Sequence, residues 1–133
     1  MRGSCLCGQL RYEVSELASP IRHCSCRTCR KAHSAAFNTS ASVKQQHFAW
    51  LTETQGLKSF ESSPGKRRYF CGHCGSQLVA QRTGSDLLVL RVATLDDDPG
   101  QTPQGHIWAS HEVPWLAYGP QVPAHAEWAP DHT

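Results

Sequence analysis

The stretch Cys24-Ser-Cys-Arg-Thr-Cys29 places three cysteines in the spacing C-x-C-x-x-C. The chain has seven cysteines, and the other four form two close pairs, Cys5 with Cys7 and Cys71 with Cys74. Because seven is an odd number, the thiols cannot all be joined as disulfides within one chain. In a reducing compartment, close pairs of this kind are typical of metal ligands, and cysteine sets favour zinc. The sequence therefore predicts two zinc ions, one bound by four cysteines and one by three.

Length and composition predict one domain over residues 1–133. Hydrophobic residues make up 39% of the chain and the mean hydropathy is −0.46, which indicates a modest core. The formal net charge of only +2 argues against a strongly basic nucleic-acid-binding protein. No apolar run reaches the ~18 residues that a membrane span needs, and no signal-peptide segment precedes Cys5. We therefore expect a soluble cytoplasmic protein without a membrane partner.

The hydrophobic pattern predicts a mainly β fold with short helical turns. Leu10, Tyr12 and Val14 alternate with polar residues, which is the period of a half-buried strand. The run from Asp86 to Leu95 is the most hydrophobic of the chain and is expected to form a central strand. Further strands are expected at 37–43, 47–51, 57–61, 66–70 and 77–80, several of them separated by turns that contain glycine or proline.

Two more expectations concern the helix and the C-terminal part of the chain. Residues 27–33 can make a short helical turn with Ser25 as its N-cap. The segment from Gln101 onward is rich in proline, histidine and tryptophan. It is interpreted as an irregular tail wrapped over the core, with Trp108 and Trp115 as packing anchors.

The pairs Cys5/Cys7 and Cys71/Cys74 are predicted to form a closed four-sulfur zinc site. Glycines beside both pairs allow the backbone to wrap closely around an ion. The pairs are distant in sequence, so one ion would join the first strand to the middle of the sheet. A structural zinc of this kind contributes roughly 10–16 kcal/mol, comparable to the stability of a whole domain. The alternative is that these thiols are free and only pack in the core.

The cluster Cys24, Cys26 and Cys29 leaves one position of a tetrahedral ion free, which is the pattern of a catalytic zinc. The alternative is that a histidine closes the site. The candidates are His23, His106 and His111. Three thiolates on Zn²⁺ leave one net negative charge, so the centre is a weaker Lewis acid than a zinc held by three neutral histidines. Such a centre suits a substrate thiol, which loses its proton on coordination and can attack an electrophilic carbon.

Three cations lie beside this cluster in sequence: Arg27, Arg30 and Lys31. We expect them to balance the charge of the thiolates or to hold carboxylates of a substrate. The alternative is that they form an ordinary solvated face.

Together these features resemble the glutathione-dependent formaldehyde-activating enzyme family, which includes centromere protein V. The resemblance rests on motifs that follow the family order over nearly the whole chain. They are Gly3–Gly8 with Leu10–Val14, His23–His33 with Ala35–Phe37, Tyr69–Leu78, Ala93–Asp97, and His106–Trp108 with Pro114–Trp115. One departure is Ser34, since a glycine is usual in the family at this position.

The resemblance implies a zinc-bound β-tent (Mss-four-like) fold with two zinc ions. It assigns the structural ion to Cys5, Cys7, Cys71 and Cys74, and the catalytic ion to Cys24, Cys26 and Cys29. The implied reaction adds the thiol of glutathione to formaldehyde to give S-(hydroxymethyl)glutathione, and the enzyme is classed as a carbon–sulfur lyase.

Two other functions remain open from the sequence. The first is a non-catalytic zinc module for protein or nucleic-acid binding, for which Lys66-Arg-Arg68 would supply a basic patch. The second is a thiol redox sensor, in which oxidation of Cys24, Cys26 or Cys29 would release zinc.

Overall fold

The computed structural model describes residues 1–117 and 121–131, and its strands form two β-sheets. The strands are β1 (Arg2–Ser4), β2 (Arg11–Val14), β3 (Arg22–Cys24), β4 (Asn38–Lys44), β5 (Phe48–Trp50), β6 (Leu57–Ser63), β7 (Lys66–Cys71), β8 (Gln77–Arg82), β9 (Leu87–Arg91) and β10 (His106–Ile107). The helix α1 spans Arg27–His33, and 3-10 turns span Gln45–His47, Val92–Thr94 and Ala109–His111. The fold is therefore mainly β with short helices, as the hydrophobic pattern predicted.

The larger sheet has seven strands in the order β10–β3–β4–β9–β8–β7–β6. Its neighbours are antiparallel except for β10, which runs parallel to β3. The smaller sheet has the order β1–β2–β5 and is antiparallel throughout. A bridge between Gly3 and Leu95 connects the smaller sheet to the segment that follows β9.

The core lies around Tyr12, which is fully buried on the inward face of β2. Its ring stacks on Phe48 with centroids 5.2 Å apart, and its hydroxyl lies 2.7 Å from Oγ1 of Thr94. The backbone of Gly3 passes so close to this ring that a Cβ atom there would lie 2.2 Å from the Tyr12 hydroxyl oxygen. Glycine is thus required at position 3 by close approach.

The predicted strands agree closely with the observed ones. The hydrophobic run that was expected to be central forms β9, which is the fourth of the seven strands in the larger sheet. The strand is shorter than expected because the chain turns into a 3-10 conformation from Val92 to Thr94. The helix has the predicted bounds, Arg27–His33.

The N-cap of α1 is Cys26, and the prediction of Ser25 was wrong. The Cys26 sulfur accepts a hydrogen bond from the backbone N–H of Cys29 at 3.3 Å, whereas the Ser25 hydroxyl contacts Nε2 of His106. The C-cap of α1 is Ser34, which has the left-handed backbone angles φ 50° and ψ 44°. A glycine takes this conformation more readily, which explains the glycine expected at this position.

The prediction of tryptophan anchors was also wrong. Trp108 is 56% exposed and Trp115 is 70% exposed, so neither packs into the core. Most of the described residues after Gln101 are exposed, and β10 attaches this segment to the edge of the larger sheet at β3. Within residues 1–117 and 121–131, the structure contains no helix with the length and apolarity needed to cross a membrane.

Candidate metal centres

The four paired cysteines converge on one point between the two sheets. Their sulfur atoms all lie within 4.8 Å of one another; the Cys5–Cys7 distance is 3.5 Å and the Cys7–Cys71 distance is 3.8 Å. Sulfurs at the corners of a tetrahedron around zinc, with Zn–S bonds of about 2.3 Å, are about 3.8 Å apart. The donor set and its spacing therefore fit a four-coordinate zinc.

The turn between β7 and β8 presents Cys71 and Cys74 to this site. The N–H of Gly75 donates to the carbonyl of Cys71 at 2.8 Å, and Gly75 has a φ of +82°, which permits the tight reversal. The hydroxyl of Ser76 lies 3.3 Å from the Cys74 sulfur. Hydrogen bonding, above all from Ser76, lowers the pKa of Cys74 to about 5, which favours the thiolate form that a metal ion binds.

The second group consists of Cys24, Cys26 and Cys29, whose sulfurs also lie within 4.8 Å of one another. Cys24 ends β3, Cys26 caps α1, and Cys29 lies in the first turn of that helix. The strand-to-helix turn thus brings three sulfurs together within one short segment. Burial raises the pKa of Cys24 to about 12, and a cation bound at this site would favour its thiolate form.

No histidine, aspartate or glutamate in the described ranges offers a ligand atom within 4.8 Å of all three sulfurs. Nδ1 of His23 lies 2.7 Å from Oγ1 of Thr39, and Nε2 of His106 contacts the Ser25 hydroxyl. The ring of His111 packs against Trp108 with centroids 5.0 Å apart. The three histidines considered as fourth ligands thus have other partners. The donor set fits a zinc with three thiolates and one further position.

Two buried arginines lie beside the three-cysteine cluster. Arg68 is 3% exposed and its Nη2 is 3.9 Å from the Cys29 sulfur, while Arg91 is 4% exposed. Burial and the nearby Arg68 lower the pKa of Arg91 to about 10, an effect that the thiolates of the cluster oppose. The Arg91 guanidinium therefore stays charged at neutral pH, and it lies with the Arg68 guanidinium against the thiolates.

The sequence analysis placed neither arginine at the cysteine site. The available signal was that Arg91 lies within the most hydrophobic run of the chain, where a charged residue needs a partner when it is buried. Arg68 carried less signal, because it lies between another arginine and two aromatic residues, and its burial depends on how β7 packs.

A cleft of about 270 Å³ opens beside the three sulfurs. Its wall includes the cations Arg22, Lys66 and Arg91, together with Trp108 and Asn38. Among the described residues, no aspartate or glutamate lines it. The open side of the cluster is thus strongly cationic.

The three cations beside the cysteines in sequence do not line this cleft. Arg27 and Lys31 are exposed on α1, and Nε of Arg30 donates to the backbone carbonyl of Ser25 at 3.1 Å. Arg30 and Lys31 line a second cleft, next to Trp115. The structure thus places these three cations outside the lining of the cleft beside the sulfurs. Their role in substrate binding stays a prediction.

The basic run at 66–68 does not form a solvent-exposed patch, as the alternative binding function required. Only Arg67 is exposed, since Arg68 is buried and Lys66 is half-buried in the wall of the cleft. Lys66 and Arg68 lie at the three-cysteine site, and Arg67 points to solvent.

The arrangement of the cysteines agrees with the result of a family comparison. The family model of the glutathione-dependent formaldehyde-activating enzyme matches residues 1–111. The chain belongs to this family. The matched range contains all seven cysteines of the chain, together with Arg68, Arg91 and every residue that lines the cationic cleft.

A solved structure supports the fold of this family member. A crystal structure of a Rhodobacter sphaeroides protein is 25% identical in sequence and superposes with a TM-score of 0.63, covering 77% of this chain and 98% of the other. No curated protein matches the sequence. The family is therefore established, whereas its activity in this chain has to be argued from the site.

Proposed function

We propose that the chain is a zinc-dependent carbon–sulfur lyase that adds a thiol, by default glutathione, to formaldehyde or a similar small electrophile. The product with glutathione and formaldehyde would be S-(hydroxymethyl)glutathione. The observation that carries the proposal is the group of three sulfurs in the wall of a cationic cleft, with no fourth side-chain ligand among the described residues. Membership of the formaldehyde-activating family supports the same reaction.

The reaction is an addition and needs no oxidant or reductant. The thiol sulfur forms a bond to the carbonyl carbon, the C=O π bond breaks, and the proton of the thiol ends on the former carbonyl oxygen. A zinc ion in the three-cysteine site would lower the pKa of a substrate thiol, so that its more nucleophilic thiolate form is present at neutral pH.

The side chains of this chain would bind and orient the thiol. Arg22 and Lys66 line the cleft and can donate hydrogen bonds to the carboxylates of glutathione. Arg68 and Arg91 lie beside the sulfurs and would keep the cluster from accumulating negative charge when an anionic thiol enters. Trp108 offers an exposed ring at the rim for apolar contact with the substrate.

The two metal sites would have different roles. Cys5, Cys7, Cys71 and Cys74 would hold a structural zinc, because four sulfurs complete its coordination and the site joins distant parts of the chain. Cys24, Cys26 and Cys29 would hold the catalytic zinc, because they lie at the cleft. A β-tent classification of the fold follows from the same family resemblance and is part of this proposal.

The test must separate catalysis from the spontaneous addition of glutathione to formaldehyde. Exchange NMR with ¹³C-formaldehyde measures the rate at which the label moves between free aldehyde and adduct at equilibrium. Wild-type protein should accelerate this exchange, and Cys24→Ser should return it to the rate in buffer while retaining the far-UV circular dichroism of the wild type. Exchange by the wild type at the buffer rate would refute catalysis and leave a non-catalytic zinc module as the better description.

A further inference from the structure

We propose that the cleft beside Cys24, Cys26 and Cys29 selects its thiol by negative charge, with Arg22 and Lys66 as specificity-determining residues. Small mercapto acids, and not only glutathione, are then its ligand class. The inference rests on the proposed function in one respect, since both need a thiol to bind at the three-cysteine site.

The charge near the sulfurs is the first argument. A divalent ion with three thiolates carries one net negative charge, and the guanidinium groups of Arg68 and Arg91 outweigh it. Lys66 and Arg22 add further positive charge at the wall of the cleft, and no acidic side chain of the described residues lines it. An anion that enters the cleft therefore meets net attraction, and a cation meets net repulsion.

Among the residues that the structure describes, these cations have no acidic partner within ion-pair distance. Nη1 of Arg68 and Nε and Nη2 of Arg91 are buried without a hydrogen-bond acceptor among the described residues. Burial and repulsion from Arg68 and Arg91 lower the pKa of Lys66. Closely spaced buried cations raise the free energy of the folded protein unless an anion approaches. The thiolates supply part of that charge, and an acidic ligand would supply the rest.

The size of the cleft also suits a small thiol. At about 270 Å³ it lies just below the ~300–1,000 Å³ range of pockets that enclose drug-sized ligands. It can hold a small mercapto acid, or one arm of a larger thiol. Recognition would therefore depend on a sulfur and a nearby carboxylate, and much less on the rest of a peptide.

The test uses three thiols of similar size that differ in charge: 3-mercaptopropionate, 2-mercaptoethanol and cysteamine. Each is titrated into cobalt-substituted protein, where the visible charge-transfer bands of the open site report binding, and into zinc-loaded protein by calorimetry. We expect each step from anion to neutral thiol to cation to weaken binding by roughly tenfold, as expected for a few charges in a partly desolvated cleft. Equal affinities, or tighter binding of the neutral thiol, would overturn the proposal.

Variants locate the preference. Lys66→Gln and Arg22→Gln should each reduce the ratio of acid to neutral affinity by about threefold or more, with the larger loss for the less exposed Lys66. Lys44→Gln is the matched control, since it removes the same charge from an exposed residue of β4 outside the cleft, and it should leave the ratio unchanged. An equal reduction in all three variants would show that net protein charge, and not this cleft, sets the preference.

The outcomes separate the two proposals. If the charge ranking holds while formaldehyde exchange is not accelerated, the lyase proposal fails and the charge-selective site stands. If exchange is accelerated while the three thiols bind equally, the lyase proposal stands and charge selection fails. If none of the thiols changes the cobalt spectrum, charge selection at this site is refuted.

Discussion

Loss of one cysteine should unfold the protein at one metal centre and leave it folded at the other. Cys71→Ser removes a ligand from the group that joins the loop after β1 to the turn between β7 and β8. Cys71 is fully buried and lies in the same hydrophobic cluster as Tyr12 and Leu78. Cys24→Ser removes a ligand from a group whose three members lie within one strand-to-helix turn.

The magnitudes follow from what each ion connects. A crosslink between Cys7 and Cys71, which are 64 positions apart, removes about 4 kcal/mol of chain entropy from the unfolded state, against about 2 kcal/mol for a crosslink of about five positions. The complete four-sulfur zinc contributes roughly 10–16 kcal/mol, which equals or exceeds the 5–15 kcal/mol stability of a typical domain. Cys71→Ser should therefore lose one zinc and the fold, and Cys24→Ser should lose one zinc only.

The assay pairs zinc content, measured by plasma mass spectrometry, with urea unfolding followed by circular dichroism. Cys71→Ser should show no cooperative transition at 25 °C, and Cys24→Ser should keep a transition within about 3 kcal/mol of the wild type. If the two variants unfold alike, or if Cys71→Ser keeps two zinc ions, the division into a structural and a catalytic centre is incorrect.

Three further predictions test the fold and its electrostatics. Gly3→Ala should lower the free energy of unfolding in urea by about 3 kcal/mol, because the new Cβ would collide with the ring of Tyr12. Gly65→Ala should lower it by only about 1–2 kcal/mol, because the space there is open and only the φ of +77° is unfavourable. Ser34→Gly should raise the free energy of unfolding by about 1 kcal/mol, since it relieves the left-handed backbone of the helix C-cap; no gain in stability would refute this reading. Burial and the nearby arginines lower the pKa of His33 from 6.5 to about 4, so the unfolded chain binds the proton first and stability falls as the pH drops from 6.5 to 4. After allowance for partial exposure the loss is about 2 kcal/mol, and His33→Gln should flatten the unfolding free energy over this range; an unchanged slope would contradict the shift.

The cysteine groups could be predicted because ligand spacing is a local property of the sequence. Cysteines that are close in the sequence, in C-x-C or C-x-x-C spacing, are also close in the structure. Likewise, the hydrophobic run that forms β9 lies at the centre of the larger sheet. The bounds of α1 also followed from local pattern. Its N-cap did not, because the hydroxyl of Ser25 is taken by His106, a residue 81 positions away.

The buried cations could not be predicted because their positions depend on strand register. Arg68 of β7 lies opposite Ala80 of β8, and Arg91 of β9 lies opposite Ser40 of β4. Both arginines are buried at these positions. Cations adjacent to the cysteines in sequence seemed the natural partners, yet α1 turns Arg27 toward solvent. The electrostatics of the site are therefore set by tertiary structure, while its ligands are set by sequence.

X-ray absorption at the zinc edge, with and without glutathione, shows whether the three-cysteine centre has a free coordination position that a thiol can occupy. We expect two zinc ions per chain that share seven protein sulfurs, an average of about 3.5 sulfurs per ion, with one lighter atom at one of the two. Glutathione should raise the average to about four sulfurs and remove the lighter atom. A histidine signal at the three-cysteine centre, or a spectrum that glutathione does not change, would contradict the account.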